Sequence, residues 1–184
     1  IAAVEKRQGK APQRYKDFRR LLDDKDIDAV MIGTPDNWHC LPFVYACEAG
    51  KDVYVGKPLA NSIRECEVMV KAARKHNRVV QVGQQQRSGV HWNQAMEFIK
   101  AGRIGQLRKV QTWANFNYGI GQAKTEDSAV PGGVDFEMWL GPAPARSFNK
   151  TRFHGSWRMF WDYGGGLMSD WGVHLLEYSR QLIN

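Results

Sequence analysis

Three short apolar runs, each closed by a glycine, constrain this chain more than anything else in it: DAVMIG at 28–33, VYVG at 53–56 and VVQVG at 79–83. The first is continuously apolar, as expected of a strand buried on both faces of a parallel sheet. Segments with helical spacing lie between the runs. Residues 38–48 end at Gly50, a residue suited to a helix C-terminus, and a shorter helix is expected over 15–22. SIRE at 62–65 is a capping box, and it opens an amphipathic helix with Ile63, Cys66, Met69, Val70 and Ala73 on its apolar stripe. Strands and helices alternating at this spacing imply βαβ crossovers, and so an α/β fold built on a parallel sheet. Crossovers of this kind are right-handed, which puts all three strand ends on one edge, the edge where such sheets bind ligands. The segments that must line it are 34–39, 56–58 and 84–87, and they are also the polar, Pro- and Gly-punctuated ones.

The character of the chain changes further on. A helix over 92–101 and a turn at Gly102 and Gly105 lead into 107–116, whose alternation predicts a strand with one open face. Most of the aromatic residues follow, among the loops PGG (131–133), GPAP (141–144) and GGG (164–166), before a closing segment of helical periodicity over 167–182. We expect two domains, residues 1–88 and 89–184. Because Ile1 opens inside a charged helical stretch and the chain stops within an apolar helix, the 184 residues are expected to be the middle of a longer protein.

Composition closes off several function classes. The 26 basic residues exceed the 19 acidic ones by seven, but the two signs interleave over 5–28 and 64–78, as on solvated helix faces. No helix-turn-helix, zinc-finger or RNA-binding signature accompanies the charge, so no nucleic-acid partner is expected. Cys40, Cys47 and Cys66 are odd in number, lack a CxxC and sit among apolar residues, which argues against a disulfide framework or a zinc site. No apolar run has the length of a membrane span.

The candidate chemistry lies in a few side chains. Asp170 and His174, four apart in a helical segment, project from one face and could share a ligand, the imidazole removing a hydroxyl proton and the carboxylate orienting it. A surface pair, or a histidine with a satisfied core hydrogen bond, fits the same spacing. Lys57 stands between a strand end and Pro58, whose ring restricts the lysine backbone to extended values and holds the ammonium at the edge. There it could meet a substrate oxygen or a cofactor carboxamide, or be solvated. Thr34, Pro35 and Asp36 could contact a nucleotide, though as a turn they are unspecific. Trp38 and His39 either border the crevice or begin the next helix. Arg87 carries a fork suited to polyol or acid recognition, or merely flanks a helix. The aromatics of the second half stack on sugar faces, or form a core or an oligomer interface.

Taken together, DAVMIGTPDNWH (28–39), KDVYVGKPL (51–59), VVQVGQQQRS (79–88), FEMWLGPAP (136–144) and WDYGGGLMSDWGVH (161–174) resemble the Gfo/Idh/MocA family in order and spacing, over nearly the whole chain. The resemblance implies a two-domain oxidoreductase using NAD or NADP. Its parts would be a Rossmann-type parallel sheet followed by an α/β (α+β) domain with an open, mostly antiparallel sheet that often mediates oligomerisation. It also implies a carbohydrate or polyol substrate and a homo-oligomer, dimer or tetramer, for the full-length protein. Lys57 matches the lysine of the family's EKP motif, Asp170 and His174 its Asp-x-x-x-His pair with the histidine as proton acceptor, and Thr34 and Pro35 its cofactor-contacting dipeptide. The catalytic candidates are then Lys57, Asp170 and His174. Cofactor contacts are expected at Thr34, Pro35, His39, Lys57, Pro58 and Gln85, and substrate contacts at Arg87, Trp157, Asp170 and His174. No metal is expected. NAD-dependent glycosidases working by transient oxidation, and non-catalytic nucleotide-binding or oligomerising homologues, are the alternatives within the resemblance.

The chain departs from the family twice. Gly56 stands in place of the EKP glutamate, and no GxGxxG occurs, so the pyrophosphate site is expected before Ile1 and these 184 residues alone should bind NAD(H) poorly.

Overall fold

A computed structural model describes residues 2–115 and 123–183. Three parallel strands form the sheet, β1 (Ala29–Ile32), β2 (Asp52–Val55) and β3 (Val80–Val82), in the spatial order β1-β2-β3. The register aligns Ile32 with Val55 and Val55 with Val82, so the strand ends lie side by side. The pairing continues into the closing glycines: the Gly56 amide donates to the Ile32 carbonyl at 2.9 Å and that of Gly83 to Val55 at 2.8 Å.

Helix α1 (Ala2–Gln8) precedes the sheet and buries no residue. Helices α2 (Phe18–Leu22), α3 (Cys40–Glu48) and α4 (Ile63–Lys75) supply the cover. Leu22, Phe43, Ala46, Cys47 and Met69 from these helices form one buried cluster with Ile32, Val53 and Val55 of the strands. Burying a side chain of this size contributes about 1.5–3 kcal/mol, so this packing, rather than helix propensity, holds α2 and α3 in place. The capping box of α4 is formed in full, with the Ser62 oxygen accepting from the Glu65 amide at 3.2 Å and the Glu65 carboxylate from the Ser62 amide at 2.9 Å. The expectation of a sheet buried on both faces is corrected. Met31 and Tyr54, adjacent in register, are 77% and 38% exposed, so among the described residues the helices cover one face only.

Helix α5 (Val90–Lys100) follows, and then 107–115, where the alternation predicted a strand and none forms. An extended segment becomes a strand only by pairing its backbone, and no described segment lies alongside it; Trp113 is 71% exposed. Residue 116 lies outside the described residues. The expected open antiparallel sheet is likewise not found among the described residues of 89–184.

The second half is instead gathered by aromatic packing. Phe136, Leu140, Phe148, Trp157 and Tyr163 form its core, with Phe136 edge-on to Phe148 at 5.1 Å. Helix α6 (Phe136–Leu140) starts at Asp135, whose carboxylate accepts from the Met138 amide at 2.9 Å, and ends at Gly141. The chain then closes through a π-helical turn (Met168–Gly172) into α7 (Val173–Ile183).

Candidate functional site

The carboxyl end of the sheet is assembled by one buried histidine. His39 is 1% exposed; its Nδ1 lies 2.7 Å from the Pro58 carbonyl and its Nε2 3.0 Å from that of Thr34. Burial pushes its pKa below the usual histidine range, so the ring is neutral and donates to one carbonyl at a time. His39 therefore joins the loop after β1 to the loop after β2. Both ring nitrogens face backbone, so His39 supports the edge.

A short 3₁₀ turn over Asp36–Trp38 then ties this edge to the second half. The Asn37 amide donates to the Tyr163 carbonyl at 3.2 Å and its side-chain Nδ2 to the Leu140 carbonyl at 3.0 Å. Trp38 Nε1 donates to the carbonyls of Met138 and Trp139 at 3.1 and 3.0 Å. The Trp38 indole lies against Gly141, whose φ of +53° and lack of a side chain both matter, because a Cβ there would fall inside the ring. Trp38, left open between crevice and helix, belongs to this seam.

The seam brings Lys57 to Asp170. The ammonium forms an ion pair with the Asp170 carboxylate and donates to the same residue's backbone carbonyl, with the two side chains only 22% and 12% exposed. Arg158 completes the cluster: its guanidinium lies 4.2 Å from the centroid of the Trp157 ring and its Nε 3.6 Å from Asp170 Oδ1. His174, at the start of α7, is 5% exposed, and its Nδ1 has no hydrogen-bond partner among the described residues. Burial, helped by the Lys57 charge and opposed by Asp170, lowers its pKa, leaving a neutral imidazole able to take a proton. Asp170 sits in the π turn, a local widening of the helix frequent at functional sites.

The other expected site residues fall around this cluster unevenly. Thr34 is exposed and Pro35 half-buried at the end of β1, on the rim of a largely apolar cavity of about 810 Å³ that runs along the β1 side toward Phe18 and Trp139. Pro58 is buried, and Gln85 is exposed at the start of the turn after β3. Arg87 pairs with Glu177 on α7, clasping the two segments. Trp157 was expected to meet substrate, but at 7% exposure its ring packs in the second core and under Arg158, so it acts as a platform. The triple glycine makes room within the protein. A Cβ on Gly164 would stand 3.2 Å from both Asp36 Oδ2 and the Trp157 ring, so it admits protein side chains rather than a ligand.

Two members of the cluster were not singled out as such by the sequence. Asp36 was read from the sequence as part of a turn that could contact a nucleotide, yet it is 4% exposed. Arg158 carried one usable signal, its place directly after a tryptophan. The nicotinamide cofactor implied by the resemblance is compatible with this donor set: at Gly33, which closes β1, a Cβ would meet nothing within 4 Å, so a ligand can approach the backbone there, and Lys57 and the buried Nδ1 of His174, which has no partner among the described residues, offer a cation and a proton acceptor.

The chain is similar to known proteins over most of its length. Residues 2–84 match the model described as "Oxidoreductase family, NAD-binding Rossmann fold" (GFO_IDH_MocA), and residues 98–184 the corresponding "C-terminal alpha/beta domain". A 1-carboxy-3-chloro-3,4-dihydroxycyclohexa-1,5-diene dehydrogenase of Comamonas testosteroni is 30% identical over 67% of this chain and 32% of its own length. Among solved structures, an oxidoreductase domain protein from Kribbella flavida superimposes on 99% of this chain and 42% of its own with a TM-score of 0.64 at 25% identity. Scyllo-inositol dehydrogenase from Lactobacillus casei, with bound NAD(H) and scyllo-inositol, covers 56% of this chain and 31% of its own with a TM-score of 0.51 at 28% identity. The chain spans about a quarter to two fifths of the length of the curated relatives it matches.

Proposed function

From the premise that this chain belongs to the Gfo/Idh/MocA oxidoreductase family, we propose that it is part of an enzyme oxidising a hydroxyl of a sugar or polyol at the expense of NAD. The observation that carries the proposal is the Lys57–Asp170 ion pair at the carboxyl end of β2, with the imidazole of His174, whose Nδ1 has no hydrogen-bond partner among the described residues, four residues on. Relatives acting on a cyclic dihydroxy compound and on an inositol favour a cyclic polyhydroxy substrate.

The roles follow from charge. His174 takes the hydroxyl proton at Nδ1 as the carbinol becomes a carbonyl. Lys57 stabilises the negative charge that develops on the same oxygen, in a setting where its ammonium is already fixed by Asp170. Asp170 orients Lys57 and accepts a hydrogen bond from a neighbouring substrate hydroxyl. When bound, NAD would supply the hydride acceptor. Thr34, Pro35, Pro58 and Gln85 hold it at the sheet edge, and Arg87 acts on substrate only through the α7 segment it clasps. In this reading residues 1–88 carry the cofactor edge and 89–184 the substrate side, in an enzyme that assembles as a dimer or tetramer.

The test uses the full-length protein with NAD and a panel of sugars and cyclic polyols, following absorbance of the reduced nicotinamide. Lys57→Ala and His174→Ala should each lower kcat by about 10²–10⁴-fold with the fold intact. Unchanged turnover in either variant removes that residue from the mechanism. Glycoside cleavage without net cofactor reduction would replace the proposal with a glycosidase.

A further inference from the structure

Asp36 is a buried carboxyl that the mechanism above does not use. It is 4% exposed, and its carboxyl forms no salt bridge among the described residues. Buried carboxylates are otherwise almost always paired. Its position is nevertheless built: Gly164 lets Oδ2 come against the backbone of the second half, and the Asn37 bonds to Tyr163 and Leu140 hold the turn that carries it. Three charges face it, each from a different element. Arg158 on the 154–159 turn and Lys57 after β2 attract it, and Asp170 in the π turn repels it. Two cations and two carboxyls thus lie around one space: a Cβ on Gly164 would touch both Asp36 Oδ2, at 3.2 Å, and the Arg158 Cα, at 3.3 Å, and the Arg158 Nε is 3.6 Å from Asp170 Oδ1.

We propose that Asp36 is a positioning residue of this site, a second carboxyl that competes with Asp170 for Arg158 and so sets how firmly Asp170 holds Lys57. When Asp36 carries a proton, Arg158 stays with Asp170, whose charge is divided between two cations, and Lys57 can turn toward the substrate oxygen. When Asp36 ionises, Arg158 is drawn to it and Asp170 binds Lys57 alone. Burial pushes the Asp36 carboxyl up to about 7, against the pull of Arg158 and Lys57, so the change falls near neutrality. The catalytic half of this inference rests on the roles proposed above for Lys57 and Asp170; the protonation half does not.

The experiment has two arms on the full-length protein. In the first, thermal unfolding is followed from pH 4 to pH 8.5 for the native protein and Asp36→Asn. A carboxyl raised in the folded state gives stability that is present below its unfolded value near 3.8 and lost as pH rises through about 7. The native protein should therefore fall several degrees in Tm relative to Asp36→Asn between pH 4 and 7, and no further above it. A pH-independent difference overturns the proposal whether or not the enzyme turns over any substrate. In the second arm, native kcat should fall about tenfold between pH 6.5 and 8.5 while Asp36→Asn holds its rate and both keep the same KM for NAD. Parallel profiles overturn the positioning role. Arg158→Gln, which leaves Asp36 in place, should move the upper limb to higher pH, because Asp36 loses its strongest attraction; an unmoved limb also overturns it, even if Asp36→Asn does not fold.

Discussion

Replacing His39 by alanine should damage stability and cofactor binding together, because one ring serves both loops. The imidazole is 1% exposed and faces two carbonyls at 2.7 and 3.0 Å. Being neutral, it donates a single N–H, so its loss removes one hydrogen bond and leaves a buried carbonyl without a donor, which costs about 1–3 kcal/mol. The void left by the ring adds about 2 kcal/mol on the scale of large-to-small core substitutions. The sum, about 3–5 kcal/mol, is a large share of the roughly 5–15 kcal/mol that holds a typical domain together. The same change frees the Thr34 loop from the Lys57–Pro58 loop, and a displacement of about 1 Å at Lys57 suffices for a hundredfold loss of rate. Urea unfolding followed by near-ultraviolet circular dichroism gives the first quantity, and NAD(H) titration and kcat of the full-length protein give the second. His39→Gln, which keeps a donor and more volume, should recover part of both. A loss below about 1 kcal/mol with kcat within twofold of native would show that the two loops hold each other without the ring.

Other perturbations read different parts of the structure. Gly141→Ala should lower Tm by several degrees and shift tryptophan emission to the red, since the new Cβ occupies the Trp38 indole at a φ of +53°; an unchanged spectrum would mean Trp38 is not seated there. Ser62→Ala should cost about 1 kcal/mol in chemical unfolding by undoing the capping box of α4, with kcat unchanged. Burial lowers the pKa of both His39 and His174, so their contribution to stability is present above the unfolded value of 6.5 and lost as pH falls below it toward their folded values. In the Asp36→Asn background, which removes the opposing carboxyl, Tm should therefore drop on acidification from pH 7 to 5; a flat profile would refute the burial argument for both rings.

The parallel sheet was legible because buried strands leave a signature that local sequence carries: continuous apolar runs, closing glycines and a capping box at the next helix. Lys57 and the Asp170/His174 pair were legible for a similar reason, since proline and helical spacing fix their directions. The expected strand at 107–116 failed because alternation records only which face is apolar, whereas a strand exists only with a partner. The burial of His39 and Trp157 was not legible in the same way. Their burial depends on what packs over them from distant segments, Pro58 over one and Gly164 beside the other, and nothing local announces it. Asp36 is the sharpest case: a TPD tripeptide is a turn on the surface of most chains, and here the residues near 140 and 163 bury it.

The seam at Asp36–Trp38 bears on how such a protein could be re-engineered. The groups that fasten the nucleotide edge of the sheet, the carbonyls of Met138, Trp139, Leu140 and Tyr163, are encoded about a hundred residues downstream of it. The two halves are therefore not interchangeable modules. Exchanging residues 89–184 for those of a homologue with another specificity would also rewrite the supports of Thr34 and Pro35, unless the 138–141 and 163–164 segments were kept with the first half. A chimera boundary belongs around those segments, not in the linker between the domains.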